Sequence, residues 1–419
     1  MVYDDIVYDV AVIGGGASGL MAAGRAGEQG ARTILIEKND QLGVKLLLTG
    51  GTRCNLTNYL TDLKILASYF GSSGRFLISA LTRFGPAETI DFFTGRGLKT
   101  KVENNNRIFP VSDRARDVLK VLLDYVKEAG VEIRTGTPVA DLIVKDGRIS
   151  EIVLRSGVRV RAANYIITTG GRSYPGTGSS GDAYKWLKKL GHSIITPSPA
   201  LVPIIIREDF IADLEGLSRE EVSLSLLQDG KKIAASQGDV LFTSFGLSGP
   251  AALNLSRFIK LPVGTGLQLA VDFFPEFSAE ALDDKLRGIS NSGNQSLKNS
   301  LAGIIPPRLI PVVEFLTALD MDKKAHSLIK PQRRALVALL KDFRLSVSGL
   351  AGYERAMVTA GGADLKEIDP KTMQSKIIAN LFMAGEVLDI AGPTGGFNLQ
   401  ASWSTGRIAG EAAAADRTK

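Results

Sequence analysis

The chain has 419 residues, 44% of them hydrophobic and 22% charged, a balance that suits a soluble globular protein of two or three domains. Fifty basic against 44 acidic side chains leave a net charge of +6, spread along the sequence rather than gathered in a tract, which weighs against nucleic acid as a partner. The single cysteine, Cys54, excludes an intrachain disulfide, and with only two histidines, His192 and His326, no Cys/His metal cluster can be assembled, so no metal is expected.

Asp4, Asp5 and Asp9 precede an apolar run broken by glycine, the wrong pattern for a signal peptide, and no apolar stretch reaches the roughly 18 residues of a membrane span. A cytoplasmic protein without a membrane partner is expected. The apolar run, residues 10–13, ends in Gly14-x-Gly16-x-x-Gly19, and Ala17 and Ser18 begin a stretch of small residues. This pattern predicts a buried parallel strand, a tight turn, and a helix whose first N–H groups face a pyrophosphate. A second strand, residues 32–37, ends in Glu37, about 20 residues beyond the first glycine, where an acid hydrogen-bonds a ribose hydroxyl. An acid there favours a plain ribose over one carrying a 2′-phosphate, and so FAD or NAD over NADP.

The loop 42–58 holds adjacent glycines, Gly50 and Gly51, followed by Thr52, Arg53, Cys54, Asn55, Thr57 and Asn58. Such residues are costly to place in a core and useful around a polar ligand. Residues 60–100 read as amphipathic helix, 104–112 as loop, and 113–130 as a helix stopped by glycine. The pattern then changes to strands at 131–134, 139–144, 149–155 and 158–161, and a last one, 164–169, runs into Gly170-Gly171. A glycine-rich loop, 173–182, contains Tyr174 and leads into a helix over 183–190. This order (βαβ, helices, β-meander, then a strand ending in Thr-Gly-Gly) is that of FAD-binding domains of the glutathione-reductase-like architecture.

Composition shifts at 196–199, a domain boundary. Short β-like runs at 201–207, 222–228, 240–243 and 267–274 predict a small barrel or sandwich, and 278–343 is helix-like. From 356 small residues return. A strand ends at Gly385-Glu386, and a glycine turn feeds a C-terminal helix whose positive end would favour an anionic reduced flavin. This closing segment reads as the missing part of the first domain.

Together, the motifs Gly14–Gly19, Lys45 with residues 50–58, Arg107-Ile-Phe-Pro110, Thr169-Gly-Gly171 and the stretches 358–362, 385–389 and 395–400 resemble the HI0933-like family of bacterial FAD-dependent oxidoreductases. That family includes proteins described as aminoacetone oxidases and bile-acid reductases. The resemblance implies an α/β fold with a discontinuous Rossmann-like FAD-binding domain (1–195 and 356–419). It also implies an inserted β-barrel-like domain (196–275 and 344–355) and a small helical domain (276–343).

It further implies that FAD is held by Gly14, Gly16, Ala17, Ser18, Gly19, Glu37, Lys38, Lys45 and Gly51, by Arg53, Cys54, Asn55, Val139, Thr169, Gly170 and Gly171, and by Gly385, Glu386, Gly396, Phe397, Asn398, Leu399 and Gln400. Glu37 would meet the adenosine ribose, backbone near Val139 the adenine, and the loops 50–58 and 395–400 the flavin end. Three positions depart from the family pattern: Thr52 and Asn106 replace glycines, and Ala391 replaces an acid or amide.

The expected activity is hydride transfer between flavin and a small organic substrate. Arg53, Asn55 and Tyr174 are the candidate catalytic groups, with Arg107 and Asn398 as further polar groups; none is singled out as the acid. With one dinucleotide fingerprint, a second nicotinamide domain is not expected. NAD(P)H, binding transiently, and oxygen both remain open as redox partners. A flavoprotein acting on RNA and a flavin-binding module without turnover are the alternatives.

Overall fold

In a computed structural model, which describes residues 3–290 and 295–416, the chain divides into two compact units, 1–199 with 356–419 and 200–355. The first is built on β1 (Tyr3–Ile13), whose residues Val10, Ala11, Val12 and Ile13 are all buried, because the strand lies inside a parallel sheet with both faces covered. It pairs in parallel with β2 (Thr33–Ile36) on one side and with the Arg159–Ile167 strand on the other, so that Val10 stands opposite both Thr33 and Asn164. Glu132–Arg134 extends the sheet beyond β2, and Leu381–Met383 adds a parallel strand beside Arg159–Ile167.

Two sequence expectations change here. The strands expected at 158–161 and 164–169 are one strand, Arg159–Ile167. Ala162 and Ala163 between them carry no turn chemistry, and the strand changes partners instead of ending. Its start pairs antiparallel with Arg148–Leu154, and Tyr165–Ile167 pair with both β1 and Leu381–Met383. The expected loop at 104–112 contains the strand Arg107–Pro110, held between Thr57–Asn58 and Thr100–Glu103. A strand of four residues is too short to display an alternating pattern.

The amphipathic stretch 60–100 resolves into helices Leu63–Ser68, Gly74–Arg83 and Pro86–Thr94. Asp62 caps the first by accepting from the N–H groups of Lys64 and Ile65, and Gly85-Pro86 starts the third. Helix α1 (Ala17–Glu28) packs against the C-terminal helix Phe397–Ala415, and the two bury nearly continuous stripes of small residues.

The second unit is a closed barrel, in the order Ile204–Ile206, Gly246–Ser248, Lys231–Thr243, Ser218–Gln228, Leu267–Asp272 and Phe343–Leu350, which returns to the first strand. Leu224, Leu226, Phe242, Leu269, Val271 and Leu345 are buried in it. The β-like run at 240–243 is the end of a 13-residue strand whose polar first half hides it in the sequence. Helices Ala279–Ser290, Leu297–Leu301, Leu309–Thr317 and Lys330–Lys341 belong to the same unit.

The excess positive charge is also less evenly spread than expected. Residues 295–341 hold eight basic against three acidic side chains, an excess of five out of the chain's six. Elsewhere the two signs nearly cancel, and many of those charges meet in ion pairs. Among the described residues no helix is long and apolar enough to cross a membrane, and no three His, Cys, Asp or Glu side chains converge as a metal site.

Candidate cofactor site

Between β1 and α1 the backbone turns at Gly14, whose φ of +105° suits glycine, and a Cβ there would lie 2.7 Å from the Thr168 carbonyl oxygen. Gly19 packs closer still, since its Cβ would fall 1.8 Å from the carbonyl oxygen of Gly14. Helix and strand therefore approach as the sequence pattern requires. Around Gly16, by contrast, there is open space: a Cβ would meet nothing within 4 Å. Gly16 caps α1 without a side-chain acceptor, which leaves the first-turn N–H groups facing that space with the positive end of the helix dipole behind them.

The space is a cavity of about 610 Å³, lined wholly from the first unit and within the size range of small-molecule and cofactor sites. Gly14, Gly16, Ala17 and Ser18 form its floor. At the end of β2, buried Glu37 lines it while one carboxylate oxygen accepts from Gly15 N–H at 2.7 Å and the other from Asn39 N–H at 2.9 Å. The carboxylate is thereby fixed at the strand end, with lone pairs left for a hydroxyl. Lys38 lines the same end and pairs with Asp182 at 2.7 Å, which holds the Asp182 carboxyl below its ordinary range despite the raising effect of burial. Val139, Arg155 and Trp186 complete that wall.

The other end is a network of charged and hydroxyl groups. Lys45 Nζ donates to Glu386 at 2.7 Å and to the Ser173 hydroxyl, and Ser173 Oγ donates to Glu386 at 2.6 Å. Thr359 N–H donates to the same carboxylate at 2.9 Å, while Thr359 Oγ1 accepts from the N–H groups of Arg172 and Ser173. Four segments distant in sequence are thus locked together beside Thr169, Gly170 and Gly385, all in the wall. Asn398 and Leu399 line the cavity too, although the Asn398 amide is already engaged with Gly392 and Pro393.

Other residues singled out from the sequence lie outside the wall. Arg53 turns to Asp113 (2.8 Å from Nε) and Glu103, and its guanidinium sits 4.2 Å from the centre of the Phe109 ring, so its charge is matched away from the cavity. Cys54 is fully buried, and burial pushes its thiol up to about 12. The buried Asn55 amide bridges the Thr57 and Ile108 carbonyls and the Gly396 N–H. Gln400 accepts from the Thr57 hydroxyl at 2.6 Å and donates to the Phe84 carbonyl. These residues, with Gly19, Gly51, Gly171, Tyr174, Gly396 and Phe397, are not among those that line the cavity.

Residues not anticipated include Trp186, Arg155 and the edge from Thr177 to Ser180. The signal for the edge was the glycine-rich loop 173–182; nothing marked Trp186 or Arg155.

The donor set fits FAD. An acid stands where a ribose hydroxyl would bind, and free helix N–H groups stand where a pyrophosphate would. Thr169 Oγ1, a buried polar atom of a wall residue, has no hydrogen-bond partner among the described residues.

Known proteins resemble this chain over nearly its whole length. The HI0933-like protein Rossmann domain matches residues 8–412. A 3-dehydro-bile acid delta(4,6)-reductase of Clostridium scindens is 32% identical over 410 residues, 97% of this chain and 98% of that protein. A ribosomal RNA dihydrouridine synthase of Escherichia coli is 30% identical over 398 residues, 95% and 96% of the two chains. The crystal structure of 3-ketosteroid delta1-dehydrogenase from Sterolibacterium denitrificans shares the fold, with a TM-score of 0.53 at 14% identity over 98% of this chain and 99% of that one.

Proposed function

The chain belongs to the HI0933-like family of FAD-dependent oxidoreductases, and on that footing we propose that it reduces a carbon–carbon double bond conjugated to a carbonyl group, using NAD(P)H as the source of electrons. One observation carries the reading. Two relatives that match almost end to end are named for different substrates, a dehydro bile acid and a uridine in ribosomal RNA, yet both names describe saturation of a ring double bond. In uracil, as in an enone, that bond is polarised by a neighbouring carbonyl. The chemistry shared across the two is the part that transfers.

The balance is NAD(P)H plus a proton plus the conjugated alkene, giving NAD(P)⁺ and the saturated carbonyl compound. Hydride adds to the carbon β to the carbonyl and the proton to the α carbon. FAD, when bound, supplies the hydride carrier between the two.

The chain's residues hold and orient it. Glu37 takes the adenosine ribose, the 14–18 turn and the start of α1 take the pyrophosphate, and Val139 with Trp186 borders the adenine. Thr169, Gly170, Gly385, Glu386, Asn398 and Leu399 surround the flavin half. Lys45, fixed by Glu386 and Ser173, sets a hydrogen-bonded ion pair in that half of the wall, which would orient the flavin ring when FAD is bound. Arg53, Asn55 and Tyr174 act through the loops they build, not on the reacting atoms.

Anaerobic mixing of the FAD-loaded protein with NADH and with NADPH tests the direction. Loss of the flavin's visible absorbance with one nucleotide, and its return on adding an α,β-unsaturated ketone or a uridine-containing RNA, is the expected result. A flavin bleached by neither nucleotide would overturn the reductase reading. Oxidation of an amine with consumption of oxygen would replace it.

A further inference from the structure

The charge excess in residues 295–341 has a place in the fold. Leu297 N–H donates to the Lys323 carbonyl at 2.7 Å and Lys298 N–H to the Met321 carbonyl at 2.9 Å, while Ser296 pairs with Lys324. Lys298, Lys323 and Lys324 therefore lie side by side where the short helix Leu297–Leu301 meets the 320–325 loop. The chain then runs through the turn Ala325–Ser327, which carries exposed His326, into the helix Lys330–Lys341. Lys330 and Arg334 share one face of that helix at i and i+4. Both the turn and this helix pack against Ala279–Ser290, the helix through Arg333, which donates to the two oxygens of Asp283 at 2.7 and 3.0 Å.

All five basic residues are exposed, and Lys298, Lys323, Lys330 and Arg334 make no ion pair with any described residue. That contrasts with the first unit, where Lys38, Lys45, Arg53 and Lys101 each meet a carboxylate. Asp320 and Asp322 are the acids in the same loop, and on the packed helix Glu280 and Asp284 are offset by Lys285 and Arg287, so basic side chains remain in excess. Phe315 is 74% exposed on the helix Leu309–Thr317, and its neighbour Glu314 accepts from Met321 N–H in that same loop.

We propose that this face binds the sugar-phosphate backbone of RNA. Unpaired lysines and arginines spaced along a surface, with an exposed aromatic ring nearby, are what a polyanion of repeating phosphates and bases requires; a single small anion would need one converging pocket. The inference extends the reductase reading to a nucleotide presented on RNA and rests on that reading only for this consequence, since the binding itself needs no turnover.

The FAD-loaded protein is titrated with protein-free ribosomal RNA over a range of salt concentrations. The wild type is expected to bind with an affinity that falls steeply with salt. The triple variant Lys298→Glu, Lys323→Glu, Lys330→Glu is expected to bind about tenfold or more weakly, with a salt slope smaller by about 2. Its bleaching by NAD(P)H is expected to match the wild type. Because the glutamates could disturb the loop, the triple glutamine variant is measured alongside and is expected to show an intermediate loss.

Wild-type protein that binds no RNA at low salt overturns the proposal, as do variants with unchanged affinity and slope. Salt-sensitive binding to polyglutamate but not to RNA would assign the face to an acidic protein and overturn it equally. RNA binding that depends on this face, in a protein whose flavin is never bleached, would leave this inference standing and remove the reductase reading. Bleaching and enone reduction without RNA binding would do the reverse.

Discussion

Glu37 and Arg53 show what a sequence can and cannot say about single residues. Glu37 closes a buried strand at a fixed distance from a glycine turn, and local geometry alone puts its carboxylate in the wall, 2.7 Å from Gly15 N. Arg53 sits among polar residues that suggest a ligand, but its partners Glu103 and Asp113 come from segments about 50 residues on, and no local pattern announces that pairing. Cys54 lies in the same polar loop, yet burial raises its thiol to about 12 and keeps it protonated at neutral pH. Glu37→Ala should therefore weaken FAD binding by about tenfold to a hundredfold, the loss of a hydrogen bond to a charged group together with the support it gives Gly15. Glu37→Gln, which still accepts from Gly15 N–H, should lose less. Flavin fluorescence titration measures both, with circular dichroism confirming the fold; alanine protein that retains flavin like the wild type would show the ribose contact to be elsewhere.

Among elements, the pairing of α1 with the C-terminal helix depends on residues that carry little pattern. A Cβ at Gly406 would lie 2.5 Å from the Ser18 carbonyl and one at Gly410 2.2 Å from that of Ala22, so these backbones touch directly. A stripe of glycine and alanine has almost no amphipathic contrast, which is why the sequence marks the helix but not its partner. The segment after Ala363 is tied down just as invisibly. His192, buried at the end of one helix, reaches Glu367 through Nδ1 at 3.0 Å and the Ser375 hydroxyl through Nε2 at 2.9 Å. Ser375 Oγ already accepts from the N–H groups of Ile377 and Ile378, so its own proton points at Nε2, and a neutral imidazole carrying its proton on Nδ1 satisfies every group.

Burial lowers the His192 pKa, against the raising pull of Glu367. On Glu367 burial raises the pKa, but hydrogen bonds from Ser193 and His192 outweigh it and the carboxyl ends below its ordinary range. The signs agree. Each group takes up a proton more readily when unfolded, so the stability it contributes is complete above its unfolded pKa and is lost as pH falls through the folded one. For His192 the loss begins at about pH 6.5. Urea midpoints measured from about pH 8 to about pH 5 should fall for the wild type. His192→Gln should start about 1–3 kcal/mol lower at neutral pH and show a flatter slope below about pH 6.5. Equal slopes in the two proteins would mean that the His192–Glu367 pair does not titrate over this range.

Over the whole molecule, what was legible followed from how far each signal reaches. Motifs for one cofactor recur from Gly14 to Gln400, and every cavity-lining residue belongs to the unit they define, so the discontinuous flavin domain could be read before any contact was known. The barrel was only half visible, because strands such as Lys231–Thr243 alternate between a polar exterior and a core supplied by other strands. The basic face escaped notice because charge was averaged over 419 residues, when 47 of them carry nearly all the excess.

The same division predicts where FAD acts. A ligand held entirely by one unit stabilises that unit by mass action, about 2.7 kcal/mol at a free concentration a hundred times the dissociation constant. Hydrogen exchange on flavin-free and reconstituted protein should therefore slow in peptides covering 14–18, 169–182 and 385–399. It should be unchanged in the barrel strands Ser218–Gln228 and Lys231–Thr243. Equal protection across both units on adding FAD would mean that they unfold as one cooperative body, and that the cofactor's binding energy supports the barrel as well as the fold that touches it.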